Sequence, residues 1–245
     1  MIPIKTPEQI EKMVAAGKIA KGALNATIGA AKPGITTLEL NNIVDKYICD
    51  NGATPGFKTV DDYDFATCIN INEGLVHGIP NDYVLKAGDL VSIDLGAYLD
   101  GWHSDLSHTI EVETNVHKDF LELGKSALDK GIKAFKVGNK LGDVGHAMQE
   151  TIENVGYTVS KDLVGHGIGE QLHENPYVPG YGVPGQGVEI KEGMVFAIEI
   201  IYQKGEPELE IADDDWTIVT ADGSLAGLFE HTVAVTKEGP RILTI

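Results

Sequence analysis

Lys86-Ala-Gly-Asp-Leu-Val-Ser-Ile-Asp94 and Lys191-Glu-Gly-Met-Val-Phe-Ala-Ile-Glu199 are the two stretches on which the fold turns. Lys, Gly and Ile coincide at an offset of 105, and each stretch ends in a carboxylate. Each reads as a glycine turn feeding a buried strand. The match extends in both directions. Gly34 to Gly52 and Gly138 to Gly156 are intervals of equal length. Leu38, Ile43 and Tyr47 in the first, and Val144, Met148 and Ile152 in the second, recur at helical spacing. The segments ahead of them, Pro7 to Ala31 and His117 to Lys136, also read as amphipathic helices. Val76-His-Gly-Ile79 echoes Gly165-His-Gly-Ile168.

Five matches in one order point to a duplication. Each half reads helix, helix, strands, His-Gly-Ile and a carboxylate-bearing hairpin. The expected class is α+β, two pseudo-symmetric halves with helices covering a curved antiparallel sheet. No Pro/Gly/Ser linker divides the halves, so residues 1–245 read as one domain with halves of about 1–112 and 113–245. The stretch between His166 and Lys191 carries Pro176, Pro179, Gly180, Gly182, Pro184, Gly185 and Gly187. Such a turn-rich loop is expected to shape a cleft rim.

The acids in these strands carry the chemistry. Asp100-Gly101 marks a two-residue hairpin turn, which sets Gly96 opposite Asp105 and makes Asp94 and Asp105 diagonal neighbours on one face. Glu199 holds the place of Asp94 in the second half, and Glu230 precedes the strand-like run His231 to Thr236. His166 lies between Gly165 and Gly167, where small neighbours admit a close ligand. Singly, these residues have plain explanations: a strand-edge acid, an exposed hairpin residue, a loop histidine. Glu199 fits them poorly, since the run Val195 to Ile201 leaves it little solvent. Adjacent buried carboxylates are costly, and divalent cations remove the cost. Four carboxylates and one histidine suit two hard-to-borderline ions such as Mn, Fe, Co or Zn. His77 and His173 sit in short loops beside this set, placed for acid/base or oxyanion work. His103, His108, His117, His146 and His231 read as surface or packing residues, and Asp213-Asp214-Asp215 as a solvated turn.

Composition bounds the partners. The chain of 245 residues holds 19 Lys+Arg against 37 Asp+Glu, a net charge of −18. That balance repels phosphate backbones and anionic lipid, so no nucleic-acid or membrane partner is expected. Two cysteines, Cys49 and Cys68, make no disulfide framework. The first residues carry Pro3, Lys5, Pro7 and Glu8 rather than an apolar core, and a cytoplasmic location is expected.

Four motifs stand in order: Asn72-Glu-Gly-Leu-Val-His-Gly-Ile-Pro80; Ser92-Ile-Asp-Leu-Gly96 followed by Asp105; Gly165-His-Gly-Ile-Gly169 with His173-Glu174; and Phe229-Glu-His-Thr232. Together they resemble the type I methionine aminopeptidases of the pita-bread metallopeptidases, over essentially the whole chain. The resemblance implies that Asp94, Asp105, His166, Glu199 and Glu230 ligate two divalent ions, Asp105 and Glu230 bridging them. It implies substrate contacts for the catalytic pair His77 and His173, and a proton-shuttle role for Glu199. The implied reaction is attack of a metal-bridging water or hydroxide on the first peptide bond, releasing the initiator methionine. The implied substrate is the N-terminus of a peptide or nascent chain, met by a monomer in transient association with the ribosome.

Phe57, Tyr63, Cys68, Leu172 and Trp216 are the expected walls of the methionine pocket. Here the sequence departs from the family. Val60-Asp-Asp-Tyr63-Asp64-Phe65 replaces the usual Tyr-x-x-Phe/Tyr-Pro, Leu172 stands where an aromatic is usual, and Ile200 stands where proline is usual. Two other readings compete. An X-Pro peptidase of the same fold would usually carry an extra N-terminal domain, which is not expected here. A catalytically inactive binding protein should have lost ligands, and all five are kept.

Overall fold

The computed structural model describes residues 2–245. The first half builds helices α1 (Pro7–Ala30) and α2 (Thr37–Asp50), then strands β1 (Thr54–Pro55), β2 (Thr67–Ile71), β3 (Gly74–Val76), β4 (Leu90–Leu99) and β5 (Trp102–Glu111). The second builds α3 (Lys118–Ala134), α4 (Leu141–Glu153), β6 (Thr158–Val159), β7 (Gly165–Gly167), β8 (Glu174–Val178) and β9 (Val195–Gln203). β10 (Leu209–Ile211), β11 (Ile218–Thr220), β12 (Ala226–Thr236) and β13 (Gly239–Ile242) complete it.

Local chemistry explains the helix starts. Thr6 and Thr36 accept hydrogen bonds from the backbone of Gln9 and Glu39, whose side chains reach back to the capping residues. This reciprocal box satisfies two otherwise orphaned donors at each start. The expected helices are all present, and the structure selects the packing face of α2. Leu40, Val44 and Ile48 are its fully buried apolar row, while Leu38, Ile43 and Tyr47 are half-buried at its flank. Both rows have helical spacing, so periodicity alone did not choose between them.

The main sheet runs β1-β4-β5-β12-β9-β7-β8, with β2 beside β4, β13 beside β12 and β6 beside β9. All of its pairings are antiparallel. Asp100 and Gly101 both take positive φ, at 50° and 88°, as the tight β4–β5 turn requires. Within this sheet β5 and β12 join the two halves through three facing pairs among the described residues, Phe229 with His108, Glu230 with Ser107, and His231 with Leu106.

Strand alternation sorts the side chains. Val91, Ile93, Leu95 and Leu106 point to the helix side and form a core with Leu24, Leu40, Val44 and Ile48. Phe196, Ile198, Ile200, Tyr202 and Phe229 form its counterpart with Leu128, Val144, Met148 and Ile152. Burying each such side chain contributes roughly 1.5–3 kcal/mol. The residues between them, Asp94, Ser107, Glu199 and Glu230, turn to the opposite face, so the helix cores hold the sheet that presents the acids.

The turn-rich stretch between His166 and Lys191 rims the cleft in its first part only. Residues 179–187 pack on α4 rather than rimming the cleft: Gly142 N–H donates to the Gln186 carbonyl at 2.9 Å and Gly185 N–H to Asp143 Oδ1 at 2.8 Å. A side chain at Gly142 or Gly145 would strike the backbone of this segment, so the contact depends on glycine. The cleft edge is formed by the preceding residues, Leu172 to Tyr177.

Candidate metal centre

A single ladder row carries three of the acids across the sheet. Cys68 faces Asp94, Asp94 faces Ser107, Ser107 faces Glu230, and Glu230 faces Glu199. Asp105 lies opposite Gly96, one diagonal step from Asp94, as the hairpin register predicts. Thr232 fixes it there: Asp105 N–H donates to Thr232 Oγ1, whose hydroxyl donates back to the Asp105 carbonyl, both at 2.8 Å. His166 faces Ala197, one diagonal step from Glu199.

These five residues meet at the floor of a cavity of about 540 Å³. Asp105, His166 and Glu230 are buried, and each brings a ligand atom within 4.8 Å of the others. Asp94 and Glu199 beside them are half-buried. Among the described residues no lysine or arginine lines the cavity. His166 Nε2 lies 3.8 Å from Asp105 Oδ2, and among the described residues none of the four acids has a lysine or arginine partner. Asp94 Oδ1, Asp105 Oδ1 and Glu230 Oε1 are buried without a hydrogen-bond partner among the described residues.

The electrostatics follow from that crowding. Burial and then Glu199 push Asp94 well above the ordinary carboxylate range. Burial, Asp94 and Glu199 do the same to Asp105, and burial, Asp105 and Glu199 to Glu230. Burial lifts Glu199 to about 7. His166 is lowered to about 4 by burial and by His173, so its ring is neutral at pH 7. His166 Nδ1 lies 2.9 Å from the Gly167 carbonyl. A carbonyl only accepts, so Nδ1 carries the proton and the Nε2 lone pair is left facing Asp105. Orphaned carboxylate oxygens beside a neutral, oriented imidazole form a donor set that fits divalent cations of borderline hardness.

The walls supply the rest. His77 and His173 are exposed on the cavity surface, and the His173 ring lies 4.5 Å from that of His166. Both are held below the ordinary histidine range by loss of surrounding water, His77 further by His173. Phe57, Tyr63, Cys68, Leu172 and Trp216 all line the cavity. Tyr63 organises them, its ring 6.5 Å from Phe57 and 5.5 Å from Trp216, while its hydroxyl accepts from the Cys68 thiol at 3.2 Å. Ile200, by contrast, is buried in the helix-side core, so its departure from the family does not touch the cavity.

Residues 11–237 match the model of metallopeptidase family M24. The chain belongs to that family. It is 42% identical to the methionine aminopeptidase of Clostridium perfringens, over 100% of this chain and 99% of the relative. It superposes on the crystal structure of methionine aminopeptidase from Thermotoga maritima with a TM-score of 0.97 and 43% identity, covering 100% and 99% of the two chains. The structural likeness reaches prolidase from Pyrococcus furiosus, at a TM-score of 0.79 and 28% identity, over 99% of this chain and 65% of that one. The architecture is the pita-bread fold shared by these proteins.

Some residues of this M24 site gave no sequence signal. Tyr177 lines the cavity and is 75% exposed, facing His166 across β7–β8. Asn70, buried on β2, accepts the Gly78 N–H at 2.7 Å and so fixes the loop of His77. Both depend on how neighbouring strands and loops fold back on one another, which the residue pattern alone does not reveal.

Proposed function

We propose that this protein hydrolyses the peptide bond after an N-terminal methionine, with Asp94, Asp105, His166, Glu199 and Glu230 holding two divalent ions. The observation that carries this reading is the orphaned acid cluster lying directly beside the apolar wall of Tyr63, Cys68, Leu172 and Trp216. One part suits a hydrolytic metal centre and the other an unbranched thioether side chain. Bound divalent ions would supply Lewis-acid polarisation of the scissile carbonyl and a lowered pKa for water.

The chain's own residues do the remainder. Glu199, held near neutrality, takes the proton of the attacking water and returns it to the leaving amine. Neutral His77 and His173 donate ring N–H groups toward the oxygen on which charge develops. The apolar wall orients the methionine side chain and excludes water from the reacting bond. Asp105 and Glu230, the most buried acids, would hold the ions together with His166, Asp94 and Glu199. A free, neutral α-amine is required for binding, so blocked N-termini are not substrates.

Residues 1–245 form one catalytic domain of two duplicated halves, about 1–112 and 113–245, with the site on the β5–β12 seam. The repeated order of helix pair, strands and hairpin supports this. The protein acts as a cytoplasmic monomer on nascent chains, in transient contact with the ribosome. Among the described residues no helix is long and apolar enough to cross a membrane.

The test is a peptidase assay on Met-Gly-Met after metal removal and reloading. Release of methionine by the Mn²⁺, Co²⁺ or Fe²⁺ form supports the reading. Faster cleavage of an X-Pro peptide would replace it with the prolidase activity of the more distant relative. No cleavage of either would leave a binding protein on this fold.

A further inference from the structure

Lys5 is out of place for a lysine. It lies in the extended segment ahead of α1, is only 5% exposed, and sits far in sequence from its partner. Its ammonium pairs with Glu174 Oε2 at 2.6 Å, and the two side chains are 3% and 10% exposed. Its own N–H donates to the Gly193 carbonyl at 2.7 Å, tying the segment to the base of β9. Burying an ammonium and a carboxylate is worthwhile only when the geometry they enforce matters or their pairing is close to ideal.

What the pair enforces is the turn that carries His173, the residue just before Glu174. Glu174 Oε1 also accepts the Gln171 N–H at 3.3 Å. Gly169 N–H donates to the Gln171 carbonyl at 3.0 Å, and the Gly169 carbonyl accepts from His103 N–H at 2.8 Å. A Cβ at Gly169 would collide with Lys5 Cε and Glu174 Oε1, so the ion pair and the turn are packed without slack. His173 itself opens to solvent on the cavity surface. Its placement is therefore inherited from the backbone beneath it.

We propose that Lys5 is a positioning residue for His173: the N-terminal segment is a strap whose buried ammonium, through Glu174, holds the His173 turn against the cavity. The inference rests on the proposed role of His173 in peptide hydrolysis. It names a residue at the opposite end of the chain, outside the cavity, on which turnover depends. Lys5 itself is not among the residues that line the cavity.

The test uses the metal-loaded enzyme and a Met-Ala peptide. Lys5→Met is expected to lower kcat by about 10- to 100-fold while KM moves less than about threefold. Lys5→Arg and the swap Lys5→Glu/Glu174→Lys are expected to recover most of the loss. In a His173→Ala background, Lys5→Met should cost less than about threefold more, because the two act as one unit. A second arm measures backbone hydrogen exchange of residues 169–175 in metal-free protein, which Lys5→Met should accelerate and Lys5→Arg restore. If Lys5→Met does not fold, Lys5→Met/Glu174→Gln, which leaves no lone buried charge, takes its place in every arm.

An equal loss in the His173→Ala and wild-type backgrounds would overturn the proposal, as would unchanged exchange over 169–175. A wild-type protein inactive with every metal would sink the functional reading instead. The exchange arm needs no activity and still decides whether Lys5 holds the turn.

Discussion

Glu199 and Glu230 are direct cross-strand partners on β9 and β12. Like charges set opposite each other in an antiparallel pair destabilise it. Here Asp105 and Asp94 press on Glu230 as well. A sheet that carries this row through its centre is built for a cation, and the cost shows when none is bound.

Metal removal should therefore destabilise the protein in a pH-dependent way. The folded pKa of all four acids is raised above the unfolded value. Between those limits the metal-free folded chain holds protons that the unfolded chain has released, so its stability falls as pH rises from about 4 through neutrality. Cations replace those protons and stabilise the folded state by mass action. The Tm difference between Mn²⁺-loaded and EDTA-treated protein should widen between about pH 5 and about pH 8, reaching at least about 5 °C. Scanning calorimetry checks this, and a constant or narrowing difference would count against the site.

Glu199→Gln should separate chemistry from folding. It keeps shape and removes both a like charge and the proton acceptor. Turnover is expected to fall at least about 100-fold, with the Tm of the metal-free form unchanged or raised. Near-normal turnover in this variant would remove Glu199 from the mechanism.

Asn70 should matter through His77. His77 holds φ at 60°, a left-handed conformation that costs a non-glycine residue energy, and Gly78 beside it is tied to Asn70 Oδ1. Asn70→Ala leaves the buried Gly78 N–H unsatisfied, at roughly 1–3 kcal/mol. We expect a lower Tm and a kcat reduced about tenfold, with Asn70→Asp, which keeps the acceptor, recovering part of both. Steady-state kinetics beside thermal unfolding checks it.

Trp216 should set affinity more than rate. At 37% exposed, it closes the outer side of the wall organised by Tyr63. Trp216→Ala is expected to raise KM for Met-Ala roughly tenfold while kcat changes little, the signature of lost uniform binding. An unchanged KM would place the methionine side chain elsewhere.

Much of this was legible before any coordinates. The offset between Lys86-to-Asp94 and Lys191-to-Glu199 placed two strands. The Asp100-Gly101 turn fixed a register that set Asp94 and Asp105 on one face, because a two-residue hairpin leaves no freedom of pairing. The buried row of α2 was not legible, since two rows share its spacing and only the partner surface selects one. The segment 179–187 looked like a rim because turn residues mark loops without saying what they pack on. Lys5 with Glu174 escaped because it joins parts of the chain whose proximity exists only once the sheet is formed.

The central claim is metal-dependent removal of an N-terminal methionine, and one assay tests it most directly. The protein is stripped with EDTA, reloaded with Mn²⁺, Co²⁺ or Fe²⁺, and given Met-Ala-Ser, acetyl-Met-Ala-Ser and Ala-Pro-Ala in parallel. The expected result is no cleavage without metal, methionine released from the first peptide alone on reloading, and the blocked and proline peptides left intact. Cleavage that survives EDTA, or faster hydrolysis of the proline peptide, would contradict the account.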